Sequence, residues 1–321
     1  MMARYLVTGG AGFIGSHLCD ALLAAGHGVR VLDDLSTGRR SNLDERCELV
    51  LGDVADAATV RGALAGMDGC FHLAAIASVA RGNEDWLGTH RVNLGGTLAV
   101  LDAAARSSVA GAGRVPVVYA SSAAVYGALD GVASEASLVC PLSAYGADKL
   151  GSEQHARAGF VVHGVPSVGF RFFNVYGPRQ DPSSPYSGVI SIFAAALMAG
   201  RGVTVHGDGM QSRDFIYVRD VVAFLMAGMA RVARESGALV LNACTGRETT
   251  IRGLAETLGE LLQRRPMIAA GPARAGDVRR SVGAPERARE ALGVVARTRL
   301  DEGLEATLSY GLADGLVGAA A

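Results

Sequence analysis

The chain has 321 residues, half of them apolar and 19% charged, which is typical of a folded globular protein rather than a disordered one. This length supports one large domain or two smaller ones. The net charge of −1 at pH 7 lacks the basic excess of proteins that bind nucleic acids or acidic membranes, so we expect neither as a partner.

Cysteine and histidine usage argues against several kinds of site. The five cysteines are scattered, odd in number and free of any C-x-x-C pair, which predicts the reduced thiols of a cytoplasmic protein rather than a disulfide framework or a zinc site. The seven histidines form no H-E-x-x-H motif, so no metal site is predicted. No signal peptide is visible ahead of the first predicted strand, and no apolar run reaches the roughly 18 residues that span a bilayer.

The N-terminal segment predicts a dinucleotide site. A short buried strand at 4–8 runs directly into glycines spaced G-x-x-G-x-x-G, which precede a predicted helix at 16–25. Glycines allow the backbone to turn tightly and approach a pyrophosphate, which then lies at the helix N-terminus. A second strand at 29–32 ends at Asp33, where a carboxylate suits a ribose 2′-hydroxyl and repels a 2′-phosphate. The order of these elements therefore favours NAD over NADP.

Two further strands also end in residues suited to a cofactor. The strand at 49–52 is followed by Asp53 and Val54, and the strand that begins at 69 exits through small residues up to Ala75. Asp53 has the alternative of capping the next helix, predicted at 58–65, and the small residues have the alternative of tight packing. An amphipathic helix is predicted at 91–105, where leucines at helical spacing indicate core or dimer contacts: Leu94, Leu98 and Leu101.

A fifth strand and the helix after it bring three reactive side chains to one place. The strand at 115–120 ends in Ser121 and Ser122, and Tyr145-x-x-x-Lys149 follows about twenty residues later. We expect an α/β fold with a doubly wound parallel sheet, in which ligands lie outside the carboxyl ends of the strands. Residues four apart share a helical face, so Tyr145 and Lys149 are expected to point into one pocket.

Lys149 is the only lysine among the 30 basic residues of the chain, and the others are arginines. A compact ammonium can be desolvated and can titrate beside a phenol, unlike the wide guanidinium fork of arginine. A nearby cation favours the ionised phenol, and lowering its pKa by about three units takes about 4 kcal/mol. We expect Lys149 and a positively charged cofactor ring to lower the Tyr145 pKa, so that Tyr145 acts as a general base near neutral pH.

The complete set of motifs resembles the extended short-chain dehydrogenase/reductase family, and within it the nucleotide-sugar epimerase/dehydratase branch. The matching positions are Gly9-x-x-Gly12-x-x-Gly15, Asp33, Asp53-Val54, Leu73-Ala74-Ala75, Asn93, Ser122 and Tyr145-x-x-x-Lys149. The resemblance implies a Rossmann domain at 1–173, with a return segment at about 215–250, and a smaller C-terminal α/β substrate domain at 174–214 and 251–321. It also implies a homodimer that pairs the helices beginning near Arg91 and Tyr145.

The same resemblance assigns NAD as the cofactor and Ser122, Tyr145 and Lys149 as the catalytic residues. It implies that Tyr145 and Ser122 contact the sugar hydroxyl that reacts, and that Lys149 binds the nicotinamide ribose. The residues that it places around the cofactor are Gly9, Gly12, Phe13, Ile14, Gly15, Asp33, Asp53, Val54, Leu73, Ala74, Ala75, Asn93, Tyr145 and Lys149.

The second half of the chain resembles the part of the branch that binds a UDP-sugar. Residues 171–180 match the signature in which Asn174 contacts the diphosphate, and Arg213 and the late Arg274-x-x-Asp277 match residues that hold the diphosphate and the uridine ribose. Bidentate guanidinium groups suit a pyrophosphate, although each arginine of so arginine-rich a chain has the alternative of a solvated surface position. The implied substrate residues are Ser78, Ser122, Asn174, Val189, Thr204, His206, Arg213, Arg274, Asp277 and Ser281.

Two departures from the branch bear on the reaction. The 4,6-dehydratases of the family carry an Asp-Glu pair just after the catalytic serine or threonine, and here those positions are Ala123 and Ala124. Ser281 stands where relatives restricted to unacetylated hexoses carry a bulky aromatic residue, which leaves room for an N-acetyl group. The run 74–79 likewise resembles UDP-N-acetylglucosamine 4-epimerases, and Ser78 would then face the sugar.

The leading hypothesis is oxidation of a UDP-N-acetylhexosamine, or of UDP-glucose, at C4, followed by reduction on the other face to give the 4-epimer. The alternative is loss of the 6-hydroxyl from the 4-keto sugar, as in the UDP-N-acetylglucosamine 5,6-dehydratase of nucleoside-antibiotic pathways. A decarboxylase is disfavoured, because no pocket for a uronic acid is evident. A non-catalytic NAD-binding regulator on the same fold is opposed by the intact Ser122, Tyr145 and Lys149.

Overall fold

The computed structural model describes residues 2–109, 113–181, 188–273 and 278–313. Within these residues the strands are β1 (Arg4–Thr8), β2 (Gly28–Asp33), β3 (Glu48–Leu51), β4 (Gly69–His72), β5 (Ser108–Val109), β6 (Gly113–Arg114), β7 (Val117–Ser122), β8 (Ser167–Phe172), β9 (Asn174–Tyr176), β10 (Val203–His206), β11 (Ser212–Arg213), β12 (Phe215–Tyr217), β13 (Ala238–Ala243), β14 (Thr249–Thr250), β15 (Ile268–Gly271) and β16 (Arg280–Ser281). The helices are α1 (Phe13–Ala24), α2 (Ala57–Leu64), α3 (Val79–Glu84), α4 (Trp86–His90), α5 (Gly96–Arg106), α6 (Ala144–His163), α7 (Val189–Met198), α8 (Val218–Arg234), α9 (Ile251–Leu261), α10 (Glu286–Leu292) and α11 (Leu300–Ala313). A π-helical segment, Arg91–Gly95, joins α4 to α5, and a 3-10 turn, Ala123–Tyr126, follows β7.

Seven parallel strands form the central sheet, in the order β13-β8-β7-β4-β1-β2-β3. The chain winds outward in both directions from β1, and the point where it reverses lies between β1 and β4. Sheets of this kind bind ligands at that point, beyond the carboxyl ends of the strands. The predicted α/β doubly wound sheet is confirmed.

Apolar side chains cover both faces of the sheet, as expected for parallel strands whose sequences are almost continuously hydrophobic. On one face α1 and α8 pack against Val7, Phe71 and Phe170. On the other face α2, α5 and α6 pack around Leu6 and Tyr119. Because both faces are buried, the polar groups of the site gather beyond the ends of the strands.

The helix that carries Tyr145 and Lys149 has well-defined ends. Ser143 caps α6 by accepting the Gly146 N–H at 3.1 Å, and Gly164 ends the helix in the left-handed conformation at a φ of 69°. Serine at the N-cap and glycine after the last turn are the residues that best satisfy the free N–H and C=O groups of a helix. These ends set the register of α6, which places Tyr145 in the first turn.

A second apolar core lies in the C-terminal half, among α7, α9, α11 and the strands β9, β10 and β12. Phe13 and Ile14, at the start of α1, pack against it, so the glycine loop contacts both parts of the molecule. Asp214 is fully buried and accepts the Thr245 and Gly246 N–H groups at 2.9 and 2.8 Å, which ties β11 and β12 to the end of β13. The division into domains at the predicted boundaries stays a prediction.

Among the element boundaries that differ from the sequence-based expectation, two bear on the site. β4 ends at His72, level with the last residue of β1, so the predicted cofactor residues at 73–75 lie in the loop beyond the strand. The helical stretch expected to start at 91 starts earlier, because Asp85 caps α4 by accepting the Gly88 N–H at 2.9 Å. The π-helical segment then carries the helix on into α5.

Candidate active site

The loop between β1 and α1 closes tightly over the ends of β1 and β4. Gly9 has a φ of 70°, and a Cβ built on it would lie 2.7 Å from the Ala74 backbone nitrogen. A Cβ on Gly15 would overlap the Gly9 carbonyl oxygen, and one on Gly12 would lie 3.2 Å from the same oxygen. Side chains would fill this cradle, whereas glycine leaves bare backbone at the N-terminus of α1, where a pyrophosphate binds well.

Asp33, the last residue of β2, shapes the same loop. Its buried carboxylate accepts the Ala11 N–H and the Leu35 N–H, each at 2.9 Å. Burial raises the pKa of Asp33, and these two N–H groups partly oppose the rise. A carboxylate has about four acceptor sites, so Asp33 retains capacity for the ribose hydroxyls of a dinucleotide.

Asp53 does not cap α2, so that alternative is wrong. The cap is Asp56, whose side chain accepts backbone N–H groups of the first turn. Asp53 instead accepts the Ala55 N–H at 2.8 Å and forms an ion pair with Arg91 at 2.7 Å. Val54 is buried beside it. Both residues stand beyond the end of β3, at the edge where the glycine loop lies.

The loop after β4 is held by Asn93 from the π-helical segment. The fully buried Asn93 accepts the Ile76 N–H at 2.8 Å and donates to the Ile76 carbonyl oxygen at 3.2 Å. Ser78 is also buried, and its hydroxyl caps α3 by accepting the Arg81 N–H at 3.0 Å. The side chains of Asn93 and Ser78 therefore fix the path of this loop, whatever they contact in a complex.

Ser122, Tyr145 and Lys149 meet beyond the carboxyl end of β7. The Ser122 side chain is close enough to the Tyr145 hydroxyl to favour its ionised form, and the Lys149 ammonium lies 5.8 Å from the centre of the Tyr145 ring. Lys149 is 3% exposed and donates to the Ala120 carbonyl oxygen at 2.9 Å. Ser122 also accepts the Ala124 N–H at 3.1 Å, which holds its side chain in place. The three side chains predicted to act together are thus adjacent.

The predicted lowering of the Tyr145 pKa is not produced by the chain alone. Burial raises the pKa of Tyr145, and the nearby Ser122 side chain only partly opposes the rise. Burial also lowers the pKa of Lys149, to about 8. The cause is the same in both residues, because desolvation penalises whichever form is charged. An acidic phenol therefore needs a further positive charge nearby, beyond the ammonium of Lys149.

A chain of hydrogen bonds runs from β1 to α5 through the buried His72. Thr8 already accepts a backbone N–H, so its own hydrogen is left for the His72 Nδ1, at 2.8 Å. Thr97 uses its hydrogen on a backbone carbonyl one turn earlier, so its oxygen accepts from the His72 Nε2–H at 3.1 Å. Burial, and then the charge of Lys149, lower the pKa of His72 to about 3. His72 is therefore a neutral imidazole that connects the glycine loop to α5.

Sequence reasoning missed a buried ion pair behind the end of β7. Glu153 and Arg171, each 5% exposed, share two hydrogen bonds of 2.9 and 2.7 Å. Glu153 also accepts from Ser121 at 2.5 Å, and the Arg171 guanidinium lies 4.7 Å from the centre of the Tyr126 ring. Glu153 follows Lys149 by four residues on α6, and that helical spacing was the signal available in the sequence. The pair joins α6, β7 and β8 behind the reactive side chains.

Several predicted substrate residues lie on short strands beyond the sheet. Arg213 and Ser281 are opposite each other in the parallel pair of β11 and β16, and Asn174 pairs with Phe215 in β9 and β12. The half-buried Arg213 donates to the Val278 carbonyl oxygen at 2.7 Å. The structure therefore brings Arg213 next to Ser281 and places Asn174 on the neighbouring pair of strands.

The remaining predicted substrate residues belong to other elements. Thr204 and His206 lie on β10, which pairs with β15, and being two residues apart they share one face of that pair. Val189 is half-buried and begins α7. Arg274 and Asp277 fall outside the residues that the structure describes.

The described part of the chain contains neither a metal site nor a membrane-spanning helix. No group of three or more His, Cys, Asp or Glu side chains there is placed to hold a metal ion. No helix among those residues is long and apolar enough to cross a membrane.

The fold and the site together define a class. A glycine cradle lies where the sheet changes direction, a buried acid ends β2, and a Ser-Tyr-Lys set lies beyond β7. The cradle admits backbone-to-phosphate contact, and the acid suits an unphosphorylated ribose, so the residues present fit NAD. The protein is a Rossmann-fold enzyme of the dinucleotide-dependent kind.

Comparison with known proteins gives the family. The family described as "Epimerase: NAD dependent epimerase/dehydratase family" matches residues 5–244. The UDP-glucose 4-epimerase of Mycolicibacterium smegmatis is 40% identical over 316 residues, which are 96% of this chain and 98% of that protein. The crystal structure of the Thermotoga maritima UDP-glucose 4-epimerase with UDP-glucose has a TM-score of 0.90 at 34% identity, covering 97% of this chain and 99% of the other. The UDP-N-acetylglucosamine 4-epimerase of Methanobrevibacter ruminantium, solved with UDP-N-acetylmuramic acid, has a TM-score of 0.90 at 31% identity, covering 98% and 99%.

The chain belongs to the NAD-dependent epimerase/dehydratase family, and NAD is its cofactor. The predicted resemblance is confirmed at the level of the family and of its nucleotide-sugar branch. The roles of individual residues stay predictions.

The glycine cradle gives a direct test of the cofactor site. We expect Gly15→Ala to abolish retention of NAD, because the new methyl group would overlap the Gly9 carbonyl oxygen. The measurement is the amount of NAD that is released from the purified, heat-denatured protein. The matched control is Gly62→Ala on α2, where an added Cβ meets nothing within 4 Å. A full NAD content in Gly15→Ala would show that the cradle is not the cofactor site.

Proposed function

We propose that the protein is a 4-epimerase of UDP-hexoses that works through a 4-keto sugar. The observation that carries this proposal is the grouping of Ser122, Tyr145 and Lys149 in one place, with the Lys149 ammonium 5.8 Å from the centre of the phenol ring and Ser122 close enough to act on the Tyr145 hydroxyl. The group lies beyond the carboxyl end of β7, at the edge of the sheet where ligands of this fold bind. The names of the similar proteins, which are mostly nucleotide-sugar 4-epimerases, support the same reaction.

Substrate binding is assigned to the short strands beyond the sheet. Arg213 offers a guanidinium group, the donor that best matches a diphosphate, and Asn174 stands on the neighbouring strand pair. Thr204 and His206, on one face of β10, and Val189, at the start of α7, would flank the base, and Arg274 and Asp277 would complete the site. The two similar structures named above contain UDP-sugars, which supports a UDP-sugar as the ligand.

The chemistry divides between the cofactor and three side chains. When bound, NAD accepts two electrons and a hydrogen from C4 of the sugar and later returns them. Tyr145 takes the proton of the 4-hydroxyl as a general base and gives it back as a general acid. Ser122, whose side chain lies near the Tyr145 hydroxyl, holds the same sugar oxygen at the phenol. The Lys149 ammonium favours the ionised form of Tyr145 and offers its remaining hydrogens to a ribose hydroxyl.

The residues after Ser122 favour epimerisation over elimination. Loss of water from the 4-keto sugar needs a base for the C5 hydrogen and an acid for the leaving hydroxyl. The 3-10 turn after β7 offers two methyl side chains there, Ala123 and Ala124. Without that pair, return of the hydrogen to the opposite face of C4 is the outcome that these residues leave open.

Ser281 bears on which sugar is accepted. It is half-buried on β16, directly opposite Arg213 on β11, so it lies next to a residue assigned to the diphosphate. A serine occupies far less space than an aromatic ring, and the freed volume suits an N-acetyl group at C2 of the sugar. We therefore include UDP-N-acetylglucosamine with UDP-glucose among the expected substrates.

The proposal predicts a specific product spectrum. With UDP-N-acetylglucosamine or UDP-glucose, proton NMR should show a second anomeric signal, that of the 4-epimer, growing until the two sugars reach equilibrium. New vinyl signals would instead identify a 5,6-dehydratase. No change in either sugar, together with no absorbance at 340 nm, would favour a non-catalytic NAD-binding protein.

The role of Tyr145 gives the sharpest mutational test. We expect Tyr145→Phe to lower turnover about 10³-fold, the usual contribution of a positioned acid–base group, while the fold and the NAD content stay intact. Tyr5→Phe is the matched control, because Tyr5 lies near the amino ends of the sheet strands, away from the site beyond their carboxyl ends. This variant should keep turnover within about twofold. Near-normal turnover in Tyr145→Phe would remove Tyr145 from the mechanism.

A homodimer is the partner expected of the family, and the surface offers a place for it. A groove between α5 and α6 is lined by both apolar and polar side chains, and the apolar ones include Leu98, which is 39% exposed, and Val162, which is 70% exposed. Burying this groove against a second copy would remove apolar surface from water.

We expect Leu98→Glu to yield monomers in sedimentation velocity, whereas Met267→Glu, at an exposed apolar residue elsewhere, should leave the dimer intact. A wild-type monomer would contradict the proposal.

A further inference from the structure

Asp148, between the two residues of the Tyr145-x-x-x-Lys149 motif, has surroundings that the reaction above does not use. Its side chain is 5% exposed, and its Oδ1 lies 2.7 Å from the Nδ1 of His90, the last residue of α4. His90 is 52% exposed, so the pair runs from solvent into the protein. A carboxylate oxygen this deep normally has at least one hydrogen-bond partner.

The second oxygen of Asp148 does not follow that rule. Among the residues that the structure describes, Oδ2 is buried and has no hydrogen-bond partner. Burying a carboxylate with one oxygen unpaired costs stability, and such arrangements persist where a local charge is needed. Asp148 therefore calls for a role besides packing.

The group that needs a nearby negative charge is Lys149. It is 3% exposed, its ammonium donates to the Ala120 carbonyl oxygen, and burial favours its neutral form. Its titratable neighbours are Tyr145 on the same face of α6, Asp148, which is equally buried and directly precedes it in the chain, and the neutral His72 from β4. Of these, Asp148 is the acid whose charge opposes the effect of burial.

We propose that Asp148 is a positioning residue, whose carboxylate, oriented by His90, keeps the ammonium charge on Lys149 beside Tyr145. The carboxylate acts through Lys149 and touches neither the sugar nor the reacting atoms. Its consequence for turnover rests on the proposed function, whereas its effect on Lys149 does not. The two are therefore tested by separate measurements.

The composition of the chain makes the first measurement direct. Lys149 is the only lysine, so protein labelled with ¹³C at lysine Cε gives one lysine signal in a carbon–proton NMR spectrum. The titration midpoint of that signal, followed over alkaline pH with the cofactor retained, reports the charge of Lys149. We expect Asp148→Asn to move the midpoint downward by about one pH unit, the scale of the interaction between neighbouring charges in a protein. His90→Leu should move it the same way, by less.

Two variants control for indirect effects. Asp102→Asn removes an exposed acid of α5 that pairs with Arg106, and it should leave the Lys149 midpoint unchanged. Asp148→Ser removes the charge with a smaller side chain and should reproduce the shift if Asp148→Asn fails to fold. An unchanged midpoint in the Asp148 variants, or an equal shift in Asp102→Asn, would overturn the proposal.

The second measurement is the pH dependence of turnover. Since Tyr145 needs the Lys149 charge, the alkaline decline of turnover should move to lower pH in Asp148→Asn, by the same amount as the NMR midpoint. A merely structural role would lower turnover equally at every pH, and that result would also count against the proposal. If no UDP-sugar reacts at all, the proposed function fails, and the NMR titration still decides the role of Asp148.

Discussion

The burial of one ammonium group is the constraint on which the site depends. Lys149 has been taken almost completely out of water, and burial lowers its pKa to about 8. The groups around Lys149 oppose this lowering of its pKa only in part. A carbonyl oxygen of β7 accepts from it, an acid stands next to it in α6, and the nearest imidazole stays neutral. Burial can bring the pKa of a lysine ammonium close to that of a neighbouring phenol, whereas the pKa of a guanidinium stays too high for this.

The surrounding fold supplies rigidity for this arrangement. The capped start of α6 places Tyr145 in the first turn, and the Glu153–Arg171 pair ties the same helix to β7 and β8. On the cofactor side, the hydrogen bonds of His72 connect the end of β1 to α5. Catalysis by positioned groups loses much of its advantage when distances drift by about 1 Å, so these buried polar links serve function as well as stability.

Much of this could be predicted from the sequence, because local spacing carries it. The glycines and Asp33 follow from the tight turn and the ribose that a dinucleotide requires, and the four-residue spacing of Tyr145 and Lys149 follows from helix geometry. The missing parts were long-range or depended on desolvation. Glu153 and Arg171 meet only when α6 packs on the sheet. Asp56, which directly precedes α2, caps that helix, and Asp53 pairs with Arg91 from the π-helical segment. The rise that burial gives the Tyr145 pKa could not be read from the motif, and the predicted lowering with a bound cofactor stays a prediction.

The restriction to a single lysine also has a consequence for the outside of the molecule. Surface ion pairs such as Arg106–Asp102, Arg279–Asp208 and Arg299–Asp301 are all made by arginine. A guanidinium keeps its charge far into alkaline solution, where the amines of an ordinary protein surface are already neutral. The exterior of this enzyme is therefore built to tolerate alkali better than its own reaction centre does. As pH rises, activity should disappear while the molecule is still folded and charged, so that alkaline inactivation is local and reversible.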